Sequence, residues 1–331
     1  LAKFNIISGT AGNLKDAQHE EVSSTLLFLF LKYKQVLFGG LMKQLAAFIK
    51  SARFAEVSIL LGFPMIGLFF AFKSADQLVS LPVILFAAAI FSLFTAIYAF
   101  NGFAGTEDDK NNSRLADLAG ERLSFIITLA VSLVLSLILF FLIKPVLALF
   151  SAVSFLLWCV YSFPKKGFKY RPVLGTLIHF VGQIIHFLMG YAVLAPLDKG
   201  SALVSVYFAL LFSAGHINHE LIDHDADEKS GIKTGAVCFG VSAWEKVSFA
   251  LFALAALYIS ALSLTYRELL QVCFPFVTAG FIHIIFKICT LKNASVQTKF
   301  LKERRFYRIL YFAAGILFIA AKIFDFAGFI K

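Results

Sequence analysis

Apolar residues in this chain run in long unbroken blocks instead of alternating with polar ones. Nine blocks stand out, at about 56–73, 78–100, 123–143, 145–163, 173–195, 201–219, 244–264, 268–288 and 306–325. A helix crosses the hydrocarbon core of a bilayer with about 20 apolar residues, and each block is near that length. Barrel strands are about half as long and alternate in polarity, while a helix bonds its own backbone groups where lipid cannot. The pattern therefore predicts an all-α integral membrane protein, a bundle of about nine transmembrane helices.

Composition and charge sharpen this picture. Charged residues are 15% and hydrophobic residues 60% of the chain, against about 25% charged in an ordinary soluble domain. Of the 30 Lys and Arg, 24 lie before the first block or after the second, fourth, sixth and eighth. The remaining loops hold only Lys73, Lys144, Lys199 and Arg267. Cytoplasmic loops are the basic ones, so the amino end and those four loops are expected to face the cytoplasm from a bacterial-type inner or plasma membrane. The net charge of +10 is then topology and attraction to anionic lipid, and calls for no nucleic acid. Cys159, Cys238, Cys273 and Cys289 show no C-x-x-C spacing and read as packing residues.

Two readings of the amino end stay open. Residues 8–25 are polar, and 26–31 are apolar but too short to span and lack a small-residue cleavage site. Either Met42 begins the folded chain, with 1–41 an extension to a domain over 42–331, or 26–50 forms an interfacial amphipathic helix.

The acids are concentrated. Glu220, Asp223, Asp225, Asp227 and Glu228 fall within nine positions at the cytoplasmic end of the sixth block. Spacing of three and four puts Glu220, Asp223 and Asp227 on one helical face, where they repel one another unless a cation intervenes. Magnesium takes one or two carboxylates together with substrate phosphate; a solvated acidic loop is the plainer alternative. A second cluster, NGFAGTEDDKNNSR from Asn101 to Arg114, follows the second block. There Asn101 and Asp109 are read as sharing a face, and Glu107 and Asp108 add further acid. Basic residues follow both clusters, Lys110 and Arg114 in one and Lys229 and Lys233 in the other. The repetition four blocks apart suggests a duplicated helical unit, and two such clusters facing each other would suit a diphosphate held through Mg²⁺.

At these positions the chain resembles the UbiA superfamily of intramembrane prenyltransferases. One branch of that family carries N-D-x-x-D-x-E-x-D-x-x-N; Asn101, Glu107, Asp109 and Asn112 are in register, while Gly102 and Gly105 replace Asp. The second family motif, D-x-x-D-x-x-x-D followed by G-I-K-[TS], is matched by Glu220, Asp223, Asp227 and Gly231-Ile232-Lys233-Thr234, with Glu220 in place of Asp. Tyr161-Ser162-x-Pro164, followed by Lys166 and Lys169, is similar to the family's basic loop. The resemblance covers roughly 42–325. It implies a UbiA-like bundle with a central apolar chamber open to the cytoplasmic side. It also implies Mg²⁺-dependent transfer of a prenyl group from an allylic polyprenyl diphosphate to a lipophilic or amphipathic acceptor. Metal ligands would come from Asn101, Glu107, Asp108, Asp109, Glu220, Asp223 and Asp227, and catalysis from Asp223, Asp227 and Lys233. The diphosphate would meet Lys110, Arg114, Lys166, Lys169, Lys229 and Arg53. Asp108, seven after Asn101, comes close to its face and can stand in for the missing acid at Gly105; the alternative is a divergent relative with weak or lost activity. Acceptor and prenyl length are left open.

Polar residues within the blocks carry two readings each. His179, Gln183 and His186 share a face of the fifth block, and His216 lies one turn before Glu220. They would line the acceptor pocket or take a proton, or else tie helices together. A membrane transporter is the alternative from another class, although the acids sit at helix ends and not at the midplane. The D-G-x-x-A-R signature of CDP-alcohol phosphotransferases is absent.

Overall fold

A computed structural model describes residues 57, 60–108, 122–164, 166–290 and 296–326; within these, the side chains of 106–108, 267–272, 290, 296–297 and 324–326 are outside the description. All belong to one compact unit, Ser51–Lys331. The expected extension 1–41, Met42 and Arg53 lie outside the described residues, as do Asp109, Lys110 and Arg114.

The described residues form helices and two 3₁₀ turns. In chain order these are α1 (Gly62–Ala71), α2 (Leu81–Asp108), α3 (Arg122–Ile143), α4 (Pro145–Ser162), α5 (Pro172–Leu194), α6 (Lys199–Lys229), a short α7 (Gly235–Phe239), α8 (Val241–Thr265), α9 (Arg267–Thr290) and α10 (Val296–Phe326). Starts are set by local chemistry. Pro145 and Pro172 open α4 and α5, where a missing N–H costs nothing. Asp198 caps α6 in a capping box, accepting from Ser201 N at 2.6 Å and donating its own N–H to Ser201 Oγ at 3.0 Å.

The expected spans are met in part within the described residues. Among the described residues seven helices are long and apolar enough to cross a bilayer; Gly62–Ala71 and Cys273–Cys289 are shorter. The first block ends at Ala71, where Phe72 turns extended. Conversely, α2 and α6 continue past their apolar blocks, to Asp108 and Lys229. The acidic stretch of the second motif is therefore the last turns of a long helix and not a loop.

Burial is distributed as lipid demands. In α3 the small polar residues Thr128, Ser132 and Ser136, spaced by four, are buried, while Leu123, Ile127, Val134 and Phe141 are exposed. Ser136 meets Ser151 of α4 at 3.1 Å, the close small-residue packing typical of helices in lipid. The apolar windows of α2, α5 and α6 are the most buried, at 61%, 50% and 56%, so these helices line the middle of the molecule. Two aromatic-rich cores flank them, one around Phe187, Phe208, Phe252 and Phe276, the other around Phe86, Phe94 and Phe140.

Neighbouring helices alternate in direction. Tyr258, late in α8, donates to Leu203 O, early in α6, at 3.0 Å, and Ser248, early in α8, donates to Ala214 O at 3.0 Å. Lys144, before α4, reaches Ala192 O at the end of α5 at 2.6 Å. The ends of α2, α4, α6 and α9 thereby share one side of the bundle. The backbones of α1 and α5 touch at Gly67 and Gly190, where a Cβ would run into the carbonyls of Phe187 and Pro64. Gly190→Ala is expected to destabilise by about 1–3 kcal/mol, read as a lower thermal midpoint in detergent.

Candidate functional site

The second motif is built on the end of α6. Its helix stops at Gly231, whose φ of +70° is left-handed, with Ile232 N bonding back to Asp227 O at 2.8 Å; glycine takes this conformation without a Cβ penalty. That stop exposes Lys229 and Lys233 and turns Thr234 inward. Asp223 is half-exposed and 3.0 Å from His219 Nδ1. Asp227 is less exposed and lies within electrostatic reach of Asp223 and Glu220. It also lies beside the Thr234 hydroxyl, whose buried oxygen is not aligned for a hydrogen bond. Asp225 points away, its side chain 78% exposed and 2.8 Å from His224.

Glu220 differs from both. It is buried, and its Oε2 accepts the Gly235 N–H at 3.0 Å and the Trp244 indole N–H at 2.7 Å. Its Oε1 approaches His216 Nε2 at 3.1 Å without the alignment of a hydrogen bond. Gly235 leaves the room that Trp244 fills, since a Cβ there would collide with the indole.

Tyr161, in the last turn of α4, connects the parts. It lies within electrostatic reach of Glu220 and Asp227 on α6 and of Tyr98 on α2, one turn before Asn101. The end of α2 that carries the first motif therefore faces the same region as the second motif. Glu107 and Asp108 belong to the last turn of α2, with side chains outside the description. After α4 the chain folds back tightly, Gly167 N bonding to Phe163 O at 2.8 Å, with Gly167 pressed on the Tyr161 carbonyl. This turn leaves Lys166 exposed and Lys169 over the Tyr170 ring at 4.9 Å. Among the described residues no three His, Cys, Asp or Glu side chains converge as a metal-holding group; of the first-motif acids, Asp109 is outside them and Glu107 and Asp108 are described in backbone only.

Below the acids lies a box of rings. His179 stacks on His216 with centroids 3.7 Å apart, and Trp158 and Tyr161 meet it edge-on at 4.8 and 5.0 Å. His186 is 4.8 Å from Phe94 and bonds Ser154 at 2.8 Å. Both nitrogens of His179, Trp158 Nε1 and Gln183 Oε1 are buried without a hydrogen-bond partner, an unusual concentration for a folded interior. Of the four polar residues expected to share a pocket, His179 and His216 are brought together with Trp158 and Tyr161, while the His186 bond to Ser154 ties α5 to α4.

One polar cluster escaped the sequence. Glu303 of α10, fully buried, accepts from Lys287 Nζ of α9 at 2.7 and 2.9 Å and lies 3.4 Å from Asn218 Nδ2 of α6. His283 is 3.5 Å from the same carboxylate. In sequence Glu303 stands among Lys299, Lys302, Arg304 and Arg305 and reads as part of a solvated basic face. Arg304 also lies within electrostatic reach of Asp223.

Comparison with known proteins bears on this geometry. A UbiA homolog from Archaeoglobus fulgidus, solved bound to GPP and Mg²⁺, superposes with a TM-score of 0.65 at 18% identity, covering 81% of this chain and 99% of that one. An apo UbiA homolog from Aeropyrum pernix K1 gives 0.60 at 18%, covering 82% and 98%. A structure described as digeranylgeranylglyceryl phosphate synthase gives 0.66 at 17%, covering 85% and 99%. At such identities these likenesses establish the fold. A comparison with curated proteins finds no match. The model of the UbiA prenyltransferase family matches residues 60–310, a stretch that takes in both acid motifs, the tyrosine between them and the ring box. The chain belongs to the UbiA prenyltransferase family.

Proposed function

We propose that this chain transfers a prenyl group from an allylic polyprenyl diphosphate to a lipophilic or amphipathic acceptor, with Mg²⁺, releasing diphosphate. The observation that carries the reading is the approach of α2, α4 and α6 to Tyr161, which lies within electrostatic reach of Tyr98, one turn before the first motif, and of Asp227 in the second. Related folds solved with GPP or DMAPP and Mg²⁺ support the donor and the metal. Oxygen donors suit Mg²⁺, and the crowded carboxylates at the end of α6 have Coulomb repulsion for a cation to relieve. Asp223 and Asp227 would hold it from one side, and Asn101 and Asp109 from the other, with Glu107 or Asp108 standing in for the acid missing at Gly105. When bound, Mg²⁺ supplies charge neutralisation on the leaving diphosphate.

The chain's own residues do the rest. Lys233, Lys229, Lys166 and Lys169, together with Arg53, Lys110 and Arg114, are assigned to the diphosphate oxygens. The C1–O bond breaks with its electron pair leaving on diphosphate, and the acceptor bonds to C1. The acceptor's proton passes to His179, whose unpartnered nitrogens sit one layer inside the acids. Trp158, Tyr161, Gln183, His186 and His216 form the rest of the acceptor pocket; their apolar surroundings keep water from the allylic cation, and ring faces attract it. Nine membrane crossings, with the acid ends toward the cytoplasm, complete the reading. The test is incubation of purified protein with labelled polyprenyl diphosphates and an acceptor panel, followed by product mass. A prenylated product that needs Mg²⁺ is expected; transport of a solute with no diphosphate released would overturn the assignment.

A further inference from the structure

We infer that Glu220 is a positioning residue and not a metal ligand: its carboxylate latches the end of α6 to the Thr234–Trp244 corner and so sets where Lys233 and Asp227 stand. The inference rests on the reading of Asp223 and Asp227 as the ligands on this helix. Glu220 Oε2 already receives two N–H donors, Gly235 at 3.0 Å and the Trp244 indole at 2.7 Å. Its Oε1 faces His216 at 3.1 Å, in a site where Glu220 and Trp244 are each only 7% exposed. Oε2 cannot turn toward a cation without orphaning both donors, and an unmet buried N–H is costly; Oε1 is turned to the imidazole of His216, within α6. Chain length explains the residue type. Asp at this position is shorter by one methylene, about 1.5 Å, and falls short of at least one donor. The segment that the latch secures is the one that needs it. Gly231 is left-handed, α7 is a single short turn, and Lys233 between them is exposed, so the corner is held to α6 by the Glu220 contacts together with the packing of Ala236 and Trp244 on Ile217 and Leu221; of these, only the Glu220 bonds fix direction.

The two roles for Glu220 predict opposite orders for two substitutions. A latch tolerates Glu220→Gln, whose amide oxygen accepts from Gly235 and Trp244 while its NH₂ meets His216 Nε2, and it fails in Glu220→Asp. A metal ligand tolerates Glu220→Asp, which keeps the charge, and fails in Glu220→Gln. The chain has two tryptophans, so in a Trp158→Phe background Trp244 alone reports on the corner. Trp244 emission should match the parent in Glu220→Gln and shift in Glu220→Asp. The Mg²⁺ concentration for half-maximal binding of geranyl thiodiphosphate should stay within about twofold for Gln and rise at least about tenfold for Asp, as when a supporting contact around a metal is lost. The reverse order in both readouts overturns the latch. If the parent protein binds neither Mg²⁺ nor the thiodiphosphate, the enzyme reading fails, and emission alone still decides: a shift in Asp without one in Gln supports the latch, and any other pattern overturns it.

Discussion

Asp227→Ala should abolish diphosphate release, and Asp223→Ala should come close to doing so, while Asp225→Ala leaves most of it. The helix end determines this ranking. Asp223 and Asp227 lie four apart on one face of α6; Asp227 is within electrostatic reach of Tyr161, Glu220 and Asp223, and Asp223 of Arg304. Asp225 is 78% exposed and occupied with His224. Groups that stabilise charge developing on a leaving group are worth about 10²–10³ in rate, so each of the first two substitutions should cost at least that, measured as diphosphate released by protein in lipid vesicles. Thermal midpoints should move little, because removing an acid from a crowded cluster relieves repulsion. Equal losses from all three alanines would refute the one-face arrangement.

Glu303→Ala should be the most destabilising single change away from the acids, by about 3–5 kcal/mol, the cost of leaving one partner of a buried ion pair alone. Lys287 is 8% exposed and would keep its charge with only Glu245, at 3.8 Å, in range. Asn218 and His283 would lose the same carboxylate. Glu303→Leu combined with Lys287→Met should recover most of the loss, since apolar replacement of a whole buried pair is often neutral. The nearby Lys299–Glu245 pair, 2.6 Å apart but partly exposed, should contribute about 1 kcal/mol or less. Thermal unfolding in detergent compares Glu303→Ala, the double variant and the parent. A double variant no more stable than Glu303→Ala would show that the cluster does more than neutralise charge. Asn218 lies two residues before Glu220, so the cluster also braces the helix that carries the second motif.

Several features were legible in the chain alone. Apolar block length determined that the protein is a helical membrane bundle, and the spacing of Glu220, Asp223 and Asp227 placed three acids on one helical face. These are local properties: a helix repeats every 3.6 residues, and a bilayer imposes one length, so neighbours in sequence carry the information.

What only the tertiary structure decided is which polar groups meet. Glu220 shares its face with Asp223 and Asp227 on paper, yet its carboxylate is bound by Gly235 and Trp244, from beyond the helix stop. Glu303 looked like part of a basic surface and is the buried partner of Lys287, sixteen residues earlier in another helix. His179 and His216, on different helices, stack at 3.7 Å. Inside an apolar bundle each polar group must find a partner or remain unpaired at a cost. The partner comes from whichever helix the packing of the whole chain brings within about 3 Å, and no pattern within one helix encodes that choice.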